Sequence, residues 1–108
     1  MKQHIIDNII CKIGKNANEN WELLDNAKEH HLLFHLSSFP SCYVILECNE
    51  VPTQIQILEC AKICKNNTKY KNMYNIYIDY TPCSNIQKGN KIGEIIFKSN
   101  KKVNKIKL

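Results

Sequence analysis

The sequence predicts an α+β fold, a mainly antiparallel sheet with two main helices packed on it. Three observations carry that expectation. Two stretches place apolar residues at helical spacing behind capping residues, several others alternate in the two-residue period of a strand, and short polar turns join neighbouring strand-like stretches. With 108 residues the chain fills one core and not two, so residues 1–108 are read as a single domain.

Ile5, Ile6, Ile9, Ile10 and Ile13 recur at helical spacing, yet all are β-branched and run into Gly14, so the opening segment fits helix or strand. Gly14 to Asn18 is a turn by composition. Asn18 or Asn20 then caps a short helix to about Ala27, with Glu19 and Glu22 at the positive end of its dipole and Trp21 and Leu24 on its buried face. His31 to Leu36 alternates, with Leu32, Phe34 and Leu36 inward and His31, Leu33 and His35 outward. After a turn at Ser37 to Ser41, Cys42 to Cys48 completes a hairpin, with Val44 and Leu46 inward and Tyr43 and Ile45 on the opposite face.

Pro52-Thr53 opens the clearest helix: Thr53 caps it, and Ile57, Leu58, Ala61 and Cys64 form a stripe that ends near Asn66-Asn67. Tyr74 to Thr81 is a strand stopped by Pro82, with Tyr74, Ile76, Ile78 and Tyr80 facing one way and Asn75, Tyr77, Asp79 and Thr81 the other. Ile92 to Lys98 forms a further strand, Ser99 to Lys102 a polar turn, and Val103 to Leu108 a last strand.

All fifteen basic residues are lysine, and Asn and Ile are abundant, a usage that fits an AT-rich genome such as that of a large DNA virus or a protist parasite. Without arginine, no bidentate guanidinium is available for bases or phosphates, so any nucleic-acid contact is made by point charges. The net charge of +5 is unevenly placed: residues 81–108 carry seven lysines against Glu94 alone, whereas the preceding 80 are nearly neutral. No apolar run approaches the roughly 18 residues of a membrane span, and Asp7 interrupts any signal-like core, so the expected setting is the cytoplasm (the host cytoplasm if the source is viral), with no membrane partner. The six cysteines are read as reduced thiols; Cys60 and Cys64, four apart, suit one buried helix face better than a metal or redox motif.

Candidate contacts to nucleic acid are Lys15 and Asn16 at the first turn, Asn85, Lys88 and Lys91 after the proline, and Lys98, Lys101 and Lys102 beyond the next strand. Tyr77 offers a ring for stacking on an unpaired base. His35, across the hairpin from Tyr43, is either hydrogen-bonded within the sheet or in contact with RNA. His30 and His31 read as surface residues. A Cys42–His35 nucleophile–base pair lacks an orienting third group, and Lys88 to Gly93 lacks the spacing of a phosphate loop, so no catalytic residue, metal or cofactor is assigned.

Several segments coincide in order with a known pattern: Ile13-Gly14-Lys15-Asn16, Glu19-Asn20, Phe34-His35-Leu36, Pro40 to Val44, Cys60-Ala61, Tyr80-Thr81-Pro82 with Ser84-Asn85-Ile86 and Lys88, and Gly93-Glu94-Ile95. Over residues 9–98 the chain resembles the NFACT-R domain, the RNA-binding module of ribosome-quality-control NFACT proteins, and the same domain in eukaryotic coiled-coil proteins. It departs from that pattern at Leu33, where a tryptophan is usual, at Tyr43, where a histidine is usual, and at Lys15, where an arginine is common.

The resemblance favours strand for the opening segment. It implies an accessory nucleic-acid-binding or ribosome-associated domain without enzyme activity, and the expectation taken from it is a domain that binds structured RNA, tRNA or rRNA, in translation or ribosome quality control, without the other NFACT parts that recruit tRNA and bridge subunits. The alternative reading is a module docking on ribosome-associated or coiled-coil protein partners; DNA binding is third.

Overall fold

The computed structural model describes residues 2–108. Its first two strands, β1 (Lys2–Ile6) and β2 (Ile9–Ile13), form an antiparallel hairpin turned at Asp7 and Asn8, both with positive φ. That two-residue turn suits the twist of the flanking strands, and Asp and Asn tolerate the left-handed region. The opening segment is therefore strand, and it is two strands rather than one.

Helix α1 (Ala17–Asn26) follows, then β3 (Leu32–Leu36), β4 (Val44–Leu46), helix α2 (Gln54–Asn66), β5 (Tyr77–Pro82), the short strands β6 (Ile86–Lys88) and β7 (Ile95–Phe97), and β8 (Asn104–Lys107). The main sheet has six strands in the order β1-β2-β4-β3-β5-β8, antiparallel throughout; β6 and β7 pair separately. This is the α+β architecture expected, with two helices and a mainly antiparallel sheet.

Helix α2 begins in a capping box, in which Thr53 accepts from the Gln56 amide and the Gln56 side chain accepts from the Thr53 amide. Its Ile57, Cys60, Ala61 and Cys64 lie against Cys11, Ile13, Phe34, Val44, Leu46 and Ile78 on one face of the sheet. All six thiols are free, and Cys11 and Cys60 meet at 3.7 Å inside this layer. The opposite face carries a second apolar cluster, in which Leu33, Tyr43 and Ile45 pack under Leu23 of α1 and Ile86 of the small sheet.

That second cover alters several expectations. Leu33, Tyr43 and Ile45 are buried rather than facing solvent, because α1 and the β6–β7 sheet close over them. Helix α1 is capped by Asn16, not Asn18 or Asn20, and Leu23 rather than Trp21 or Leu24 is its buried apolar residue. Strand β5 starts only at Tyr77, since the positive φ of Asn75 breaks the extended path and leaves Tyr74 exposed. Strand β7 is limited to three residues because Lys91 to Glu94 turn around Gly93. His31 is buried, its Nδ1 accepting from the Lys28 amide.

Two glycines are required by close packing. A side chain on Gly14 would strike Asn20, and one on Gly93, at φ +89°, would strike Ala17. Asn20 can consequently sit against the end of β2 and accept from the Tyr43 amide at 3.1 Å.

The cover is fastened by Asn85, which is buried and spends its carboxamide on three bonds: to Thr81 Oγ1 (3.0 Å), to the Ser99 carbonyl (2.9 Å) and from the Ser99 amide (2.9 Å). Replacing Asn85 by Ala strands these groups away from water, so urea unfolding is expected to show a loss of about 2–4 kcal/mol. The exposed neighbour Ser84→Ala should stay within about 0.5 kcal/mol of the wild type.

Candidate nucleic-acid interface

Alternation along β3 and β5 turns Phe34, Leu36 and Ile78 toward α2 and leaves His35, Tyr77 and Asp79 on the other face. The register then builds a row across three strands: His35 stands opposite Asp79, Asp79 opposite Lys105, and Tyr77 opposite Lys107. Apolar cover reaches Leu33, Tyr43 and Ile45, and beyond it this face is polar.

Exposure is graded along the row. Asp79 is buried, His35 half-buried, and Tyr77, Lys105 and Lys107 exposed. Lys105 Nζ donates to Asp79 Oδ1 at 2.7 Å and to Ser37 Oγ at 3.0 Å, which gives the buried carboxylate the cation it needs. Burial pushes the His35 pKa below its ordinary value, against a smaller opposing pull from Asp79. The imidazole is therefore neutral at pH 7, offering one donor and one acceptor. The centre of the face carries little net charge.

The rim is cationic. Lys91, Lys98, Lys101 and Lys102 are exposed and form no ion pair among the described residues, and Lys107 holds its ammonium 5.9 Å from the Tyr77 ring centre. The short turn bearing Lys101 and Lys102 is tied down by Thr81 Oγ1, which donates to the Lys102 carbonyl at 2.8 Å. The loop bearing Lys91 is held where the Tyr43 hydroxyl donates to the Gly93 carbonyl and Trp21 Nε1 donates to the Glu94 carbonyl at 3.1 Å.

Of the residues singled out from sequence, His35 and Tyr77 lie on this face; Lys101 and Lys102 are exposed on the turn bonded to Thr81, Lys91 on the loop held by Tyr43, and Lys98 after β7, where its amide donates to the Asn85 carbonyl. Tyr43 does not reach solvent: only 2% of it is exposed, its ring meets His35 edge-on at 5.3 Å, and burial with nearby Glu94 pushes its hydroxyl pKa up to about 12. Asn85 is likewise structural. Lys88 is held by Asp25 and lies 4.9 Å from the Trp21 ring centre, so it braces α1 against β6. Asn16 spends its side-chain oxygen on the Glu19 amide at 2.9 Å, while Lys15 is exposed beside it at a separate cleft.

Cys42 packs toward α2 and His35 lies on the opposite face, so the two do not pair. Asp79, Lys105 and Lys107 were not among the residues singled out; the outward alternation of Asp79 on its strand and of Lys105 and Lys107 around Ile106 is the signal that marks them.

A second feature lies on the α2 side. An apolar cleft of about 330 Å³ is lined by residues including Leu32, Val51, Pro52, Ile57 and Tyr80, and Val51 is 95% exposed beside it.

A family model described as the NFACT protein RNA binding domain matches residues 4–99. Coiled-coil domain-containing protein 25 of Danio rerio is 31% identical over 100 residues, a stretch covering 84% of this chain and 48% of that protein. The chain thus spans about half the length of that curated relative. The structure of the C-terminal part of the fibronectin/fibrinogen-binding protein from Streptococcus suis superposes with a TM-score of 0.88 at 20% identity, covering 99% of this chain and 44% of that one. The second likeness is one of fold.

His31 and His35 both have pKa values lowered chiefly by burial from the ordinary 6.5. Each binds a proton more readily in the unfolded chain, so its stability contribution is complete above pH 6.5 and is lost as pH falls from 6.5 through the lower folded value. Melting temperature should drop between about pH 7 and 5.5, and His35→Gln should flatten part of that slope. A wild-type melt independent of pH over this range would contradict the assignment.

Proposed function

The chain belongs to the NFACT protein RNA binding domain family, and on that premise we propose that it binds unpaired segments of tRNA or rRNA, in the cytoplasm and in the context of translation or ribosome quality control, without catalysing a reaction. The observation that carries this reading is the exposed Tyr77 ring on a nearly neutral patch of sheet, bordered by lysines that have no carboxylate partner.

Bases and phosphates make different demands, and the two zones meet them separately. A base needs a flat apolar surface and a few neutral hydrogen-bonding groups, which Tyr77 and the neutral His35 provide. A phosphate needs positive charge, which Lys91, Lys98, Lys101, Lys102 and Lys107 supply from turns and a sheet edge. Because each is an ammonium on a flexible stem rather than a planar fork, the contacts follow the backbone and read little sequence. In the interior of duplex RNA the bases are stacked on one another and the sheet-mounted ring has no face to meet, so single-stranded segments, loops and ends are preferred.

A second reading, docking of a protein partner, is favoured by the apolar cleft beside Val51. That cleft opens on the α2 side of the sheet, away from Tyr77, so the two activities do not compete for surface.

Fluorescence anisotropy with a single-stranded RNA oligomer tests the RNA reading. Tyr77→Ala should weaken binding by about 1–3 kcal/mol and Tyr77→Phe should retain it. Changing Lys101, Lys102 and Lys107 to Gln should lower the steepness of the salt dependence by about 0.7 for each phosphate contact removed. Binding that ignores salt, or that is equally tight for a duplex and survives Tyr77→Ala, would overturn it.

A further inference from the structure

Where the start of β1, the end of β2, the β3–β4 connection and the end of α2 meet, they enclose a cleft of about 330 Å³ that the RNA face described above does not include. Lys2, Lys15 and Lys69 line it from three separate parts of the chain, and no carboxylate does. None of the three is in an ion pair among the described residues, whose salt bridges use Lys12, Lys88 and Lys105. Three other surface clefts each contain Glu47 or Glu50.

The remaining polar groups around this cleft are already satisfied. Ser41 donates to the Cys42 carbonyl and Thr68 to the Lys65 carbonyl. The carbonyl end of α2 would repel an anion if left bare, but it is covered: Asn67 Nδ2 donates to Ile63, the Asn67 amide to Cys64 and the Thr68 amide to Lys65. Lys2 Nζ lies 3.3 Å from Asn67 Oδ1, which places its ammonium at the cleft. Glu19 borders the cleft, its carboxylate accepting from the Lys15 amide at 3.2 Å, so what the cleft offers a ligand is three unpaired ammoniums beside one carboxylate, a net positive charge.

It is also joined to the RNA face through a short stretch of chain. Ser37, whose hydroxyl accepts from Lys105 and whose amide donates to the Tyr77 carbonyl, leads to Ser41, whose hydroxyl accepts from the Leu36 amide and which lines the cleft. From β8 to β2 there are four strand spacings, roughly 19 Å at about 4.8 Å each. A strand of several nucleotides covers that distance.

We propose that this lysine cleft is a second phosphate-binding subsite, which takes a backbone phosphate of the same RNA strand that meets Tyr77 and Lys107. The inference rests on the RNA-binding reading and adds to it a site, a direction across the end of the sheet and a minimum length of ligand. A strand too short to cross from β8 to β2 does not use the cleft; a longer one does, and gains affinity from it.

The test compares single-stranded RNA oligomers of about four and about twelve nucleotides on the full chain, the wild type against Lys15→Gln/Lys69→Gln. Both side chains are exposed, so the fold is retained, and Lys15→Arg/Lys69→Arg keeps the charge as a control. The double Gln variant should lose roughly ten-fold in affinity for the long oligomer at about 150 mM salt and about 0.7 in salt slope, while binding the short oligomer as the wild type does. The Arg variant should keep the wild-type slope. Equal loss on both lengths, or an unchanged slope on the long one, overturns the cleft while leaving Tyr77 and the rim as the RNA site. Failure of the wild type to bind either oligomer overturns the RNA reading itself and the cleft with it.

Discussion

The candidate nucleic-acid face depends throughout on the position of a small cover that cannot hold itself in place. Strands β6 and β7 are three residues each, too short to be stable as an isolated pair. They stay on the main sheet because Asn85 joins β5 to Ser99, and because Tyr43 and Trp21 hold the Gly93–Glu94 turn at the other side. With the cover fixed over Leu33, Tyr43 and Ile45, the next positions outward, His35, Asp79 and Tyr77, form its border. The same tethers set the lysine-bearing turns at that border, so one group of hydrogen bonds organises both the apolar core and the charged rim.

The division of charge follows from this arrangement. An isolated carboxylate on the sheet would repel phosphate, and its burial would be costly; Lys105 removes both difficulties by pairing with Asp79 across the β5–β8 ladder. Burial keeps His35 uncharged, so the centre of the face suits a base more than a phosphate. The lysines of residues 81–108 that remain unpaired lie around it. A chain whose net charge is only +5 can in this way present a locally basic border, and its lack of arginine leaves the border suited to following a backbone rather than reading base edges.

Much of this was legible in the sequence, and what was not shares a physical cause. Helix α2 was visible because the Thr53 cap agrees locally with Ile57, Ala61 and Cys64, although Leu58, read into the same stripe, is exposed and Cys60 takes its place; the face carrying Tyr77 and Asp79 was visible from two-residue alternation. The β1–β2 hairpin was obscured because isoleucines spaced around a two-residue turn imitate a helical stripe, and only the left-handed tolerance of Asp7-Asn8 distinguishes them. Tyr43 and Asn85 were misread as surface groups because their burial comes from distant partners: the turn at Gly93 for one, Ser99 for the other. The pairing of Lys88 with Asp25 and of Lys105 with Asp79 is similarly long-range. Charge and alternation locate a surface, whereas the burial of an outward-facing residue depends on what else folds over it.

Ultraviolet crosslinking in living cells, with both the attached RNA sequenced and the crosslinked peptide mapped, tests the central claim most directly. The account predicts tRNA or rRNA fragments joined to the strand containing Tyr77, with adducts absent from the α2 surface around Ile55 and Leu58. Recovery of no RNA above background, or adducts confined to α2, would contradict it.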